Sequence, residues 1–190
     1  MDTEYEATFI NVDKNQIRAK LEEVGAKLIR PEFLQKRYAL ELPKGHEIRG
    51  GWIRVRDEGD KITLSLKIID GDKIHDQKEL QIVVDSFEET RKLLTLLGCT
   101  DKAYQETKRE IWESDEVEIM IDEWPFLEPF IEVEGPSEEK VREVSGKLGF
   151  DWKEAEFCAV GVLYEEKYGV PKRVVNTTAK LVFDMENPFS

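Results

Sequence analysis

Strand-type alternation of apolar and polar residues recurs along most of this chain. It is clearest in Trp52–Lys67, which reads WIRVRDEGDKITLSLK. Two alternating runs flank Asp57-Glu58-Gly59-Asp60, and glycine with acidic neighbours favours a turn. Pairing Arg56 with Lys61, Arg54 with Thr63 and Trp52 with Ser65 predicts a hairpin. Side chains alternate along a strand. Trp52, Arg54, Arg56, Lys61, Thr63, Ser65 and Lys67 then share one face, and Ile53, Val55, Ile62, Leu64, Leu66 and Ile68 the other. Arg54 and Arg56 stand about 7 Å apart on their face. They repel by on the order of 2 kcal/mol at an effective dielectric of roughly 20. Such a face needs either water or anions.

The same pattern places the other elements. Glu4–Phe9 is a strand with Glu4, Glu6 and Thr8 on one face. Asp13 caps a helix through Val24, with Ile17, Leu21 and Val24 as its apolar stripe. Phe33–Leu42 is a strand that Pro43 and Gly45 stop. Gln77–Val84 is another, with Glu79 and Gln81 opposite Leu80, Ile82 and Val84. Ser86 and Glu89 make a capping box for a helix carrying Phe87, Leu93, Leu94 and Leu97. Tyr104–Trp112 and Val117–Asp122 pair around Glu113-Ser114-Asp115. In Phe130–Glu134, Glu132 and Glu134 face away from Ile131 and Val133. Helices are predicted from Ser137 to near Gly149 and over Glu154–Tyr168. Leu181–Phe183 reads as a short strand in an otherwise ambiguous tail.

Eight or so strands with helices between them predict an α+β fold. Strand after strand has one apolar and one charged face, and the helices need an apolar surface to cover. A β-barrel with helices on its apolar outside and charges lining its inside satisfies both demands. An ordinary sheet with solvated charged faces, paired across strands at about 0.2–1 kcal/mol per pair, also satisfies the pattern. The chain of 190 residues reads as a single domain, 1–190, with no internal repeat or linker.

Charge sharpens this picture. With 28 basic and 41 acidic residues the net charge is −13. Such a chain repels nucleic acid and anionic membranes, so neither is an expected partner. Cationic strand faces inside so acidic a chain stand out. No apolar run nears the roughly 20 residues of a membrane span. The acidic start MDTEYEATF lacks a signal-peptide layout, so a cytoplasmic location is expected. Cys99 and Cys158 are expected as buried thiols. His46 and His75 are the only histidines, which excludes a multi-histidine metal site. Phosphate-loop and dinucleotide glycine signatures are absent.

Several motifs, in order, resemble the CYTH family of triphosphate tunnel metalloenzymes, which includes class IV adenylyl cyclases and thiamine triphosphatases. Glu4-x-Glu6 resembles the start of its Glu-x-Glu-x-Lys signature. WIRVRDEG resembles its double-arginine strand, KITLSLK its lysine-ending strand and Lys78-Glu79 its next glutamate strand. Lys108-Arg109 resembles its basic strand, Val117–Asp122 its aspartate-ending strand and PFIEVE its closing Glu-x-Glu strand. The resemblance covers about residues 1–150 and leaves 151–190 as a helical C-terminal extension. It implies an eight-stranded antiparallel tunnel that binds triphosphate compounds with Mg2+ or Mn2+. Carried over, Glu4, Glu6, Asp122, Glu132 and Glu134 would be metal ligands. Arg54, Arg56, Lys67 and Arg109 would hold phosphates, with Glu79 and Lys108 in supporting roles. Lys108 is expected to point opposite to Arg109.

Two positions depart from the family. Thr8 stands where it has a lysine, and Thr107 where a lysine often precedes the arginine by two residues. The implied activity is metal-dependent phosphohydrolysis of a small-molecule triphosphate: a nucleoside triphosphate, thiamine triphosphate or tripolyphosphate. A cyclase making cyclic AMP and pyrophosphate from ATP, and a non-catalytic binder of nucleotide or polyphosphate, are the alternatives. A homodimer stays open.

Overall fold

The computed structural model describes residues 1–190. Its strands are β1 (Asp2–Thr3), β2 (Tyr5–Phe9), β3 (Lys27–Glu41), β4 (Gly51–Asp57), β5 (Ile62–Ile69), β6 (Gln77–Val84), β7 (Thr100–Ser114), β8 (Val117–Glu123), β9 (Phe130–Gly135) and β10 (Lys180–Leu181). Between and after them lie α1 (Lys14–Glu23), α2 (Phe87–Leu96), α3 (Glu138–Lys147), α4 (Gly161–Tyr168) and α5 (Lys172–Thr177). No helix is long and apolar enough to cross a membrane.

The wall runs β1-β6-β5-β4-β3-β7-β8-β9-β2, and every pairing in it is antiparallel. Its two edges belong to one N-terminal stretch. Asp2 and Thr3 pair with Glu79 and Lys78 of β6, whereas Tyr5–Phe9 pair with β9. Between them the Glu4 N–H donates to the Gln77 carbonyl at 3.0 Å. This stretch is the seam that rolls the sheet into a nearly closed barrel. Counted as one strand, it completes the eight-stranded wall that the motifs imply.

Alternation sends the apolar faces outward, where helices cover those of β2, β8 and β9, whereas Leu80 and Ile82 of β6 stay exposed. Ala7, Phe9, Ile119, Ile121, Ile131 and Val133 from β2, β8 and β9 pack with Ile17 and Leu21 of α1 and Val141 and Val144 of α3. A smaller cluster of Leu40, Val55 and Cys99 lies under α2, with Phe87 and Leu94 against it. A third cluster joins Trp124 and Phe130 to Leu163, Tyr164, Val175 and Leu181 from the C-terminal segment.

Helix starts follow the sequence signals. Asp13 accepts from the Asn15 and Gln16 N–H groups, both at 2.9 Å. Ser86 accepts from the Glu89 N–H at 3.3 Å, which is the serine half of the expected capping box. α2 has no fully buried residue, so it depends on that cap more than a helix with a buried stripe would. Ser86→Ala should destabilise the protein by about 1 kcal/mol. Thermal denaturation should show this as a fall of about 2–4 °C in a protein of this size.

Four details correct the sequence reading. In the hairpin, Arg56 faces Thr63, Arg54 faces Ser65 and Trp52 faces Lys67. The turn is therefore Glu58–Lys61. It is closed by the Glu58 N–H donating to the Lys61 carbonyl at 2.9 Å, with Gly59 at φ +87°. Arg30 also donates to the Glu58 carbonyl at 2.6 Å. The shift is two residues, so every side chain keeps its predicted face. β3 begins at Lys27 rather than Phe33, running through Pro31 with register shifts between Leu28 and Phe33. A proline cannot donate to the ladder and hides such a start. β7 is likewise longer, Thr100–Ser114.

The helix expected over Glu154–Tyr168 is only α4, Gly161–Tyr168. Ahead of it, Glu156 exchanges two backbone hydrogen bonds with Thr8, at 2.9 and 3.0 Å. That pairing holds the segment extended. In the tail, α5 was not legible in the sequence, and the short strand is Lys180–Leu181, parallel to β7.

Candidate functional site

The barrel encloses a cavity of about 390 Å³. Glu4, Glu6, Arg54, Arg56, Lys67, Glu79, Arg109, Asp122, Glu132 and Glu134 all line it. Lys108 does not, which removes it from the supporting set. It lies on the outer face of β7, 3.2 Å from Glu123 and with its ammonium over the Phe183 ring. Thr8 is buried at 4% exposure. Its backbone pairs with Glu156 on one side and Glu132 on the other, and it is not among the residues that wall the cavity.

Strand register sorts the charges. Glu6 faces Glu134, and Glu134 faces Glu118. Lys67 faces Glu79 and also lies 2.9 Å from Glu4. This is the carboxylate region. Elsewhere Arg56 faces Arg37, Arg37 faces Gln105, and Gln35 faces Thr107. This is the guanidinium region. The C-terminal segment walls the same cavity with Cys158, Ala159 and Val160. Trp124, whose ring lies 4.6 Å from the Arg37 guanidinium carbon, packs under Leu163 and Tyr164. The extension therefore caps the guanidinium end.

Most lumenal cations have acidic partners. Arg54 lies 2.9 Å from Glu79, and Arg56 lies 2.7 Å from Glu58. Arg109 donates to Asp122 at 2.7 Å and to Glu132 at 2.6 Å. The carboxylates are less well matched. Burial and a hydrogen bond with Glu79 push the Glu4 carboxyl up to about 8. Burial and the neighbouring Glu6 raise Glu134 to about 7. Burial, with Glu6 and Asp122 close by, raises Glu132 well above the ordinary range. Burial acts in the same sense on Glu79, but the Glu4 hydrogen bond, Arg54 and Lys67 together hold it low. Burial also pushes the half-buried Cys158 thiol up to about 12, which disfavours its thiolate.

Carboxyls crowded into one buried space, which burial and one another hold above the ordinary range, fit a divalent cation. Hard cations take carboxylate oxygens. No three acidic groups converge closely enough to chelate an ion alone. A cation here would need additional oxygens from water or from a ligand, as Mg2+ commonly does.

Arg37, Gln35, Gln105, Glu58 and Glu118 also line the cavity and escaped the motif reading. Arg37 had a usable signal. It alternates with Gln35 and Ala39 on β3 and so points where they point.

A family model described as the CYTH domain matches residues 2–154. A protein named putative adenylate cyclase MJ0240 from Methanocaldococcus jannaschii is 26% identical over 123 residues, covering 64% of this chain and 70% of its own. The structure resembles that of a putative adenylate cyclase from Vibrio parahaemolyticus, with a TM-score of 0.72 at 11% identity, covering 89% of this chain and 99% of the other. It also resembles HpAC1 from Hippeastrum, with a TM-score of 0.53 at 12% identity, covering 89% and 98% of the two chains. That structure is described as a putative adenylyl cyclase with a dominant triphosphatase activity.

Proposed function

The chain belongs to the CYTH domain family, and from that premise we propose that its lumen binds a triphosphate compound with Mg2+ or Mn2+ and hydrolyses it. One observation carries the reading. A single cavity joins a cluster of guanidinium groups to a cluster of facing carboxyls, Glu6, Glu134 and Glu118 among them. A polyphosphate chain bridged by a divalent cation is the ligand that satisfies both.

Each residue has a task that its position supports. Arg54, Arg56 and Lys67 would donate to phosphate oxygens, and guanidinium forks suit phosphate geometry. Glu79, between Arg54 and Lys67, holds those two donors in place. Arg109, locked by Asp122 and Glu132, presents fixed positive charge at mid-lumen. Glu6, Glu132 and Glu134, with Glu4 and Asp122 beside them, would hold the cation, which when bound neutralises phosphate charge and activates water. Catalysis then rests on positioning and charge stabilisation.

A second reading, cyclisation of ATP to cyclic AMP and pyrophosphate, draws support from the name of the Methanocaldococcus relative. Product analysis separates the two. With manganese and a panel of ATP, thiamine triphosphate and tripolyphosphate, the expected product is inorganic phosphate. Pyrophosphate with cyclic nucleotide would favour the cyclase, and no product at all would leave a binding protein.

The metal assignment has its own test. Glu132→Gln and Glu134→Gln should each weaken manganese binding in calorimetry with tripolyphosphate present, because amide oxygens are poorer ligands for hard cations. Unchanged affinity in both variants would remove these glutamates from the metal site.

A further inference from the structure

We propose that Arg37, which lies outside all the family-like motifs, is the seat of the terminal phosphate, so that the substrate enters the capped end of the lumen phosphate-first. The inference rests on the triphosphate reading above. Arg37 differs from the other lumenal cations. It is buried, at 7% exposure, and its hydrogen bonds go only to neutral groups. Its Nη2 donates to Gln35 Oε1 at 3.1 Å and to Thr107 Oγ1 at 2.6 Å. Its Nε has no partner. The charges that act on it most are Arg54, Arg56 and Arg109, all of its own sign.

A buried guanidinium without a counter-ion is costly. The fold nevertheless fixes this one from three sides. Trp124 stacks on it, and Gln35 and Thr107 hold one of its nitrogens. Thr107 in turn donates to Gln35 at 3.0 Å. Thr107 thus occupies a position where relatives often carry a lysine and instead orients an arginine supplied by the neighbouring strand. Thr8, the other missing lysine, is buried and is not among the residues that wall the cavity. The cation absent at Thr107 is supplied from β3.

The surroundings select a phosphate over an organic group. One face of Trp124 is taken by Arg37, and the ring is packed among Phe130, Leu163 and Tyr164. No free aromatic face is left there for a base. The terminal phosphate carries the most charge per group and gains most where Arg37 and Arg56 face each other. The organic part then lies away from Trp124.

The test is calorimetry with manganese, using tripolyphosphate and ATP as ligands, on the unaltered chain, Arg37→Met and Arg37→Lys. Loss of a charge-assisted hydrogen bond corresponds to about 10- to 150-fold in affinity. Arg37→Met should lose that much for both ligands alike, and Arg37→Lys should recover part of it. Without ligand, Arg37→Met should melt no lower than the unaltered chain, since it removes an unpaired buried charge. Equal affinities for the unaltered chain and Arg37→Met would overturn the proposal. So would a loss confined to ATP, which would put the organic part at this end. A ligand-free Arg37→Met protein that melts well below the unaltered chain would make Arg37 a structural residue and also overturn it. If the unaltered chain binds neither ligand, the triphosphate reading itself fails.

Discussion

Arg109→Met should lower the melting temperature by about 6–20 °C. Arg109 is the only cation within ion-pair distance of both Asp122 and Glu132. The Asp122 side chain is 2% exposed. Removing one partner of a buried ion pair leaves an uncompensated charge, which destabilises by roughly 3–5 kcal/mol. In a protein of this size each kcal/mol shifts the midpoint by about 2–4 °C. Thermal denaturation at neutral pH is the check. A fall under about 2 °C would mean that the Asp122 and Glu132 carboxyls find other compensation, and that the mid-lumen charge arrangement described here is wrong.

The second large effect is expected at the cap. Tyr164→Ala should destabilise by about 3–5 kcal/mol, as for other large aromatic side chains cut from a core. Tyr164 is fully buried, shares one cluster with Trp124 and Phe130, and donates to the Pro125 carbonyl at 2.6 Å. Tyr164→Phe keeps the ring and loses only that hydrogen bond, so about 1–2 kcal/mol is expected. Urea denaturation of both variants separates packing from hydrogen bonding. If Tyr164→Ala costs no more than Tyr164→Phe, the C-terminal segment does not pack on the barrel end as described.

How much of this was legible in the sequence depends on the kind of signal. Period-two alternation is set by the covalent geometry of a strand. It therefore put Arg54, Arg56, Lys67, Glu79, Glu132 and Glu134 on the polar faces even where the hairpin register was two residues off, and the family resemblance turned those faces into a lumen. Parity also put Lys108 outside. Local capping chemistry found Asp13 and Ser86. Long-range pairing left no such trace. The bridge from Glu156 to Thr8 joins residues 148 positions apart, and nothing near Glu156 announces it. Glu154–Tyr168 read as one long helix because the strand edge that Glu156 meets lies at the other end of the chain. Arg37 was missed for a different reason. Its alternation was visible, but attention to motif positions passed over a strand that carries none.

The split seam formed by β1 and β2 is another non-local feature. Asp2 and Thr3 pair with one edge of the sheet and Tyr5–Phe9 with the other. Closure of the barrel therefore depends on the first nine residues. It also brings Glu4 and Glu6 to the lumen between β6 and β9, beside Glu79 and Glu134.

The central claim is that one lumen holds a triphosphate group together with a divalent cation. The most direct measurement is calorimetric titration of tripolyphosphate into the protein, with and without manganese, alongside an Arg54→Met/Arg56→Met double variant. Guanidinium groups are the main phosphate donors in this account, and charge-assisted bonds are the strong ones. The expected result is one saturable site per chain, tightened by manganese and lost in the double variant. No binding by the unaltered chain, or binding that the double variant retains in full, would contradict the account.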